Sequence, residues 1–499
     1  MIEGILIGLQ TVLTLQNLSL VIVGCVAGTL IGMLPGLGPI SAIALMIPIT
    51  YGFDPASGMI LLAGVYYGAI FGGSTSSILI NAPGVAGTVA TSFDGYPLAR
   101  AGFAGKALAV AAWSSFAGGT IAAIMLVMSA PVLADLSLGF QSADYFALMV
   151  LGLSLVSAFS PPGQYLKALA MTCLGIALAT VGTDLSAGVQ RFTFDRMDLI
   201  DGISFLLLAM AAFALSEAVM MVLEPGRVPA GKPLDTGTDM KLSKDEVRAI
   251  TPVVGRSSVL GYFVGILPGA GATIASFLAY GSERSLAKDK STFGQGNIRG
   301  IAAPETANNA ACTGSFVPLL TLGIPGSGTT AVLLGALIAY GIQPGPRLFV
   351  DAPDVFWSVI ISMYFGNVIL LILNLPLIPY IARLLMVPRQ FLVPIIMFFS
   401  MMGVYLVSFN PFDIQLMVFF AACAVGLRLL DCPMAPLLLG FILGGMLEDN
   451  LRRAMTISGG ELSFLWDRPT TLVLLILATL ALTSPLLRRG MVAVGMRAE

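Results

Sequence analysis

The chain has 499 residues, 57% hydrophobic and 10% charged, with 25 lysines and arginines, 27 acidic residues and no histidine. Soluble domains carry about 25% charged residues, so a mean hydropathy of +0.92 marks an integral membrane protein. A formal charge of −2 leaves no basic footprint for nucleic acid, and without histidine the commonest general base, zinc ligand and proton relay are missing.

From the N-terminus, Met1-Ile2-Glu3 brings no basic residue before the first apolar run, so no cleaved signal peptide is expected. Apolar runs of spanning length fall near 18–34, 57–80, 107–133, 144–160, 165–183, 202–223, 307–324, 329–342, 356–382, 391–409, 414–430 and 470–487, with shorter ones near 39–50, 257–280 and 434–447. This pattern predicts an all-α polytopic membrane protein of ten to twelve spans plus broken or re-entrant helices. The cysteines (Cys25, Cys173, Cys312, Cys423, Cys432) lack metal-type spacing and read as small buried hydrophobes.

The first run ends in Gly32-Met33-Leu34-Pro35-Gly36-Leu37-Gly38, and Gly265-Ile266-Leu267-Pro268-Gly269-Ala270-Gly271 repeats it 233 residues later, with Gly28 matching Gly261. Pro-Gly breaks a helix, because Pro removes a backbone donor and Gly adds chain entropy. Inside a bilayer such a break survives only where protein or a wet cavity satisfies the freed groups. A second pair keeps the order: Gly73-Ser74 then Pro83-Gly84 and Gly87-Thr88, against Gly314-Ser315 then Pro325-Gly326 and Gly328-Thr329, at offsets of 241 to 242. Paired breaks point to a transporter of two structural repeats.

The expected layout is a first membrane repeat at 1–224, a loop at 225–251, a second repeat with extra C-terminal spans at 252–487, and a basic tail at 488–499. Lysine and arginine mark cytoplasmic loops. The stretches 224–251 (Arg227, Lys232, Lys241, Lys244, Arg248) and 281–300 (Arg284, Lys288, Lys290, Arg299) are therefore placed in the cytoplasm, with the tail. A segment between two cytoplasmic loops cannot cross, so 257–280 is expected to enter and return as two short half-helices. The first-half counterpart has no basic flank (Arg100 is the first basic residue) and would open to the outside, making the repeats inverted. Ordinary kinked spans in parallel repeats are the rival arrangement.

Polar residues crowd these breaks. Ser74, Thr75, Ser76, Asn81 and Thr88 stand in the first half, and Asn308, Asn309, Thr313, Ser327 and Thr329 in the second. Half-helix N-termini and the exposed amides around Pro35, Gly36, Gly38, Pro83, Gly84, Gly269, Gly271, Pro325 and Gly326 suit carboxylates. Hydroxyls, amide oxygens and freed carbonyls suit a small cation. Together they describe a site for an organic anion with a coupling ion, although any single Ser or Thr also serves to bond its own helix or pack closely.

Among ionisable residues, Glu305 follows Pro304 and reads as the opening of a helix, where an acid suits the dipole; a charge role is the alternative. Arg100 either meets a carboxylate or stays a loop residue near Asp94. Glu217 reads as interfacial, and Asp431-Cys432-Pro433 and Glu448-Asp449-Asn450 as loop ends. No Walker lysine follows the glycine motifs, so ATP hydrolysis is not expected and an ion gradient is.

Gly32–Gly38, Asn81-Ala82-Pro83-Gly84, Phe93-Asp94-Gly95-Tyr96-Pro97-Leu98-Ala99-Arg100 and 302–310 with Glu305, Asn308 and Asn309 resemble the large membrane subunit (TctA type) of the tripartite tricarboxylate transporters, over roughly 15–450. Thr306 after the glutamate is a mild departure. The resemblance implies a multi-pass secondary transporter of the bacterial inner membrane, working with a small integral membrane subunit and a periplasmic solute-binding protein. It implies uptake of citrate-like or other small carboxylates on a sodium or proton gradient, with no cofactor. An intramembrane enzyme acting on lipid-linked substrates, or a non-transporting channel or assembly subunit, are the competing readings.

Overall fold

The computed structural model describes residues 2–34, 36–158, 164–184, 187–224, 240–269, 271–383, 387 and 389–493, with the backbone alone at 156–158, 389 and 485–493. The expected loop at 225–251 therefore lies outside the described residues as far as 239, as does the end of the tail beyond 493.

Helices dominate. The first part holds α1 (Ile2–Val12), α2 (Leu15–Met33), α3 (Gly38–Thr50), α4 (Pro55–Ile80), α5 (Val89–Leu98), α6 (Ala104–Ser137), α7 (Ser142–Ala158), α8 (Tyr165–Ala179) and α9 (Phe205–Leu223). The second holds α10 (Lys244–Ile266), α11 (Gly271–Leu286), α12 (Ile298–Gly314), α13 (Phe316–Leu322), α14 (Gly328–Ala339), α15 (Pro353–Asn374), α16 (Arg389–Ser408), α17 (Pro411–Leu429), α18 (Met434–Ile457) and α19 (Pro469–Ala493). Among the described residues, nine helices are long and apolar enough to cross a membrane. The chain is an all-α polytopic membrane protein. Other apolar runs give helices that this count of described residues leaves out. The runs at 144–160, 165–183 and 329–342 form helices of 17, 15 and 12 residues, and 307–324 is divided at Ser315 between α12 and α13.

Several boundaries differ from the sequence expectation. Residues 244–251 are helix, not loop, because Ser243 and Glu246 form a reciprocal capping box that starts α10 at Lys244. The helix before Pro268 is thus 23 residues rather than a short half-helix. α12 begins at Ile298, where the Asn297 side chain accepts from the Arg299 amide. Pro304 and Glu305 are therefore helix interior, not its opening. Glu448-Asp449-Asn450 lies inside α18, where Glu448 and Arg452 pair one turn apart. Cys25 and Cys312 are buried, whereas Cys173 and Cys423 face outward and Cys432 is half-buried.

The core is organised on two buried helices. α4 is buried along nearly its whole length and α12 from Gly300 onward. α2 lies along α4, and α10 along α12. Both contacts rest on glycine: a Cβ at Gly28 or Gly32 would fall on the carbonyls of Val65 or Ala69, and one at Gly261 or Gly265 on those of Ala307 or Ala311. α4 and α12 run antiparallel to one another. Tyr66 Oη, early in α4, is 3.5 Å from Ser315 Oγ at the end of α12, and Ser74 Oγ, later in α4, donates to Glu305 in the middle of α12 at 2.6 Å.

The broken helices exchange partners between halves. The end of α3 meets the end of α14, where Tyr340 Oη donates to the Thr50 carbonyl at 2.6 Å. The end of α5 meets α11, where Phe93 packs on Phe277 and Tyr280. There the buried Asp94 accepts the amides of Gly294, Gly296 and Asn297 at 2.9, 2.9 and 2.7 Å. Tyr280 Oη donates to its other oxygen at 3.0 Å.

Candidate functional site

All four breaks converge on one cavity of about 620 Å3, within the size range of small-molecule sites. Its wall includes Gly36 and Gly38 from the first break, Pro83, Gly84 and Gly87 from the second, Gly269 and Gly271 from the third, and Ser327, Gly328 and Thr329 from the fourth. Gly36, Gly38, Gly269 and Gly271 adopt φ of +97°, +59°, +81° and +58°, a region open to glycine at little cost. These left-handed steps let α3 and α11 restart immediately after each turn. α3, α11 and α14 all begin at the cavity, so three helix N-termini and their dipole ends lie at one space. Gly269 N–H donates to the Gly326 carbonyl at 3.0 Å, tying the third break to the fourth.

Among the described residues lining the cavity, the charged ones are Glu217 and Arg428. They form an ion pair, with side chains 6% and 15% exposed. α9 makes a π turn over Met210–Leu215, which frees carbonyls from the helix ladder. Arg428 Nη2 takes that of Ala212 at 3.0 Å, and Ser41 Oγ that of Phe213 at 2.9 Å. Arg428 also stands over the Phe213 ring at 5.9 Å. The Glu217 carboxylate packs against Gly36, where an added Cβ would stand 2.6 Å from Oε1.

A family model described as the tripartite tricarboxylate transporter TctA family matches residues 18–439. The chain belongs to that family. It is 45% identical over 461 residues, covering 92% of this chain and 91% of the relative, to an uncharacterised 52.8 kDa protein in the TAR-I ttuC' 3'region of Agrobacterium vitis. It is also 45% identical over 215 residues, 43% of this chain and 89% of the relative, to an uncharacterised protein in the TAR-II ttuC' 3'region of the same organism. No solved structure matches it.

Within this TctA-family chain the residues singled out from sequence separate into three groups. Gly36, Gly38, Pro83, Gly84, Gly269, Gly271, Ser327 and Thr329 line the cavity. Ser327 also caps α14, accepting from the Thr330 amide. Pro35 lies outside the described residues.

The second group stands behind the wall. The hydroxyls of Ser76, Ser77 and Thr88 all point to the Gly73 carbonyl inside α4 at 3.1, 2.9 and 3.2 Å, and Thr88 ties the chain after the break back to that helix. Asn308 presses against Gly87, and both ends of its fully buried amide lack a partner among the described residues. Asn309 Nδ2 donates to the Glu305 carbonyl at 3.0 Å, and Thr313 bonds the Asn309 carbonyl at 3.3 Å. Ser74 donates to Glu305, and Thr75 shares a small chamber with it. Pro325 and Gly326 follow α13 as the turn before Ser327, outside the cavity lining.

Asn81 and Arg100 lie away from the cavity. Asn81 is the exposed left-handed cap of α4, with φ of 53°. Arg100 is exposed and stacks over Tyr96 at 5.9 Å. Ser41, Tyr66, Thr273, Glu217 and Arg428 are wall residues that sequence reasoning did not place there. For Glu217 and Arg428 the available signal was an opposite charge late in each of two apolar runs.

Proposed function

We propose that this chain is the large permease subunit of a binding-protein-dependent secondary transporter. It imports small carboxylates, tricarboxylates foremost, across the bacterial inner membrane on a sodium or proton gradient. A small integral membrane subunit and a periplasmic solute-binding protein complete the system. Membership of the TctA family supports the transport role. The carrying observation is the cavity where three helix N-termini, four left-handed glycines and Arg428 meet. Amides and dipole ends favour anionic groups, and the Arg428 guanidinium matches a carboxylate in shape and charge. A substrate carboxylate competes with Glu217 for it.

The two halves act as inverted repeats in this reading. The matched glycine contacts and the antiparallel run of α4 against α12 support it. The hairpins α2–α3 and α10–α11 enter from opposite faces and place their Pro-Gly turns at the substrate. Alternating access then moves this unit against the outer helices.

Labelled carboxylates offered to proteoliposomes holding the chain and its small partner, with the binding protein outside, test the proposal. Saturable uptake that requires both a cation gradient and the binding protein is expected. Leak-like uptake indifferent to both would sink it.

A further inference from the structure

A second, much smaller chamber lies behind the substrate cavity. Its volume is about 10 Å3, the space of one water or one small ion. Phe71, Ser74 and Thr75 of α4, Leu108, Ala111, Ala112 and Ser115 of α6, and Asn374 at the end of α15 enclose it. Beside it stands Glu305, fully buried, whose carboxylate accepts from Ser74 at 2.6 Å, Ser115 at 2.9 Å and Thr91. Among the described residues no lysine or arginine pairs with Glu305. A buried carboxylate without a countercharge is costly.

The chamber presents oxygen lone pairs. A hydroxyl has one hydrogen, and those of Ser74 and Ser115 are turned to Glu305, so their free lone pairs are what remain for the chamber. Asn374 Oδ1, on a residue only 5% exposed, has no partner among the described residues, while its Nδ2 is held by the Leu370 carbonyl at 2.9 Å. Ser74, Ser115, Asn374 with its unpartnered Oδ1, and Thr75 thus line a space for one particle, one hydroxyl removed from the buried Glu305 carboxyl group.

We propose that this chamber is a sodium site, with Glu305 balancing the ion's charge through Ser74 and Ser115. Its place also gives a route to the substrate. Tyr66 and Ile70 of α4 line the large cavity, and the next turn supplies Phe71, Ser74 and Thr75 to the chamber. A bound ion draws α4, α6, α12 and α15 together and stiffens the helix that carries the cavity wall. This rests on the symport reading for its purpose, but the ion is measured here without any uptake.

The test uses the purified full-length chain in lipid nanodiscs, with sodium exchanged for choline at constant ionic strength. Binding of radioactive sodium and the melting temperature are both recorded. Sodium is expected to raise the Tm of the wild type, with Glu305→Gln and Asn374→Leu each weakening binding by about tenfold or more. Asn374→Leu and Ser115→Ala keep the question answerable if Glu305→Gln does not fold. Equal sodium responses in wild type and in the folded variants would put the site elsewhere and overturn the proposal. So would a wild type that binds no sodium, or one whose Tm follows pH alone and loses that dependence in Glu305→Gln, since the chamber then holds water. Carboxylate uptake retained under any of these outcomes leaves the transport reading standing.

Discussion

At the scale of single residues, the pair formed by Glu217 and Arg428 separates a structural role from a recognition role. Removing one member leaves the other charge buried, which costs about 3–5 kcal/mol. Arg428→Ala and Glu217→Ala are each expected to lower the Tm strongly. The double variant Glu217→Gln with Arg428→Met leaves no orphan charge, so it should recover most of the Tm. If Arg428 meets the substrate, that recovered protein still fails to transport. Wild-type uptake by the double variant would make the pair purely structural. The pair was hidden in the sequence because its members are 211 residues apart, each near the end of an apolar run where an interfacial charge is unremarkable. The polar residues beside the breaks were visible, but their destinations were not. Hydroxyl positions differing by one or two residues, Ser74 against Ser76, go to Glu305 and to the Gly73 carbonyl respectively.

Helix pairs explain what was legible and what was not at the next scale. Pro-Gly breaks are local chemistry, so their positions could be read directly, and the helices do restart at Gly38 and Gly271. Helix starts depend on caps, which local composition marks poorly. Pro304 has the signature of a first-turn residue, yet Asn297 nucleates α12 more than a turn earlier, and tertiary packing tolerates the proline inside. The close pairs α2–α4 and α10–α12 give a testable contrast within single helices. Gly265→Ala would drive a methyl into the Ala311 carbonyl, and Gly32→Ala into that of Ala69. Either must push two core helices apart, so loss of folded protein is expected in fluorescence-detected gel filtration. Gly255→Ala and Gly281→Ala, with nothing within 4 Å of the added carbon, should be neutral or gain about 0.5–1 kcal/mol from helix propensity. If Gly265→Ala and Gly255→Ala behave alike, the contact does not hold the pair together.

The arrangement of the whole molecule turns on which face each hairpin opens to. Charge bias assigns only the second: α11 and the segment after it carry Arg284, Lys288 and Lys290, whereas nothing basic precedes Arg100 to orient α2 and α3. Packing adds what the sequence lacked. The end of α11 lies with the end of α5, and the end of α3 with the end of α14. α4 begins beside the latter junction, where Gly58 meets Tyr340, and ends beside the former, where Ile78 meets Gly95. α4 has 26 residues, a rise of about 39 Å, enough to span the hydrocarbon core of about 30 Å. In the proposed inverted arrangement α4 crosses the bilayer and the two junctions lie at opposite membrane faces. Cysteines placed at Gly52, just after α3, and at Ser285, near the end of α11, report on this directly, since both positions are exposed. With Cys173, Cys423 and Cys432 replaced, an impermeant maleimide added to intact cells should label Gly52→Cys. Ser285→Cys should react only once the inner face is opened. Labelling of both from one side would leave α4 not crossing between them, and the inverted arrangement would fall with it.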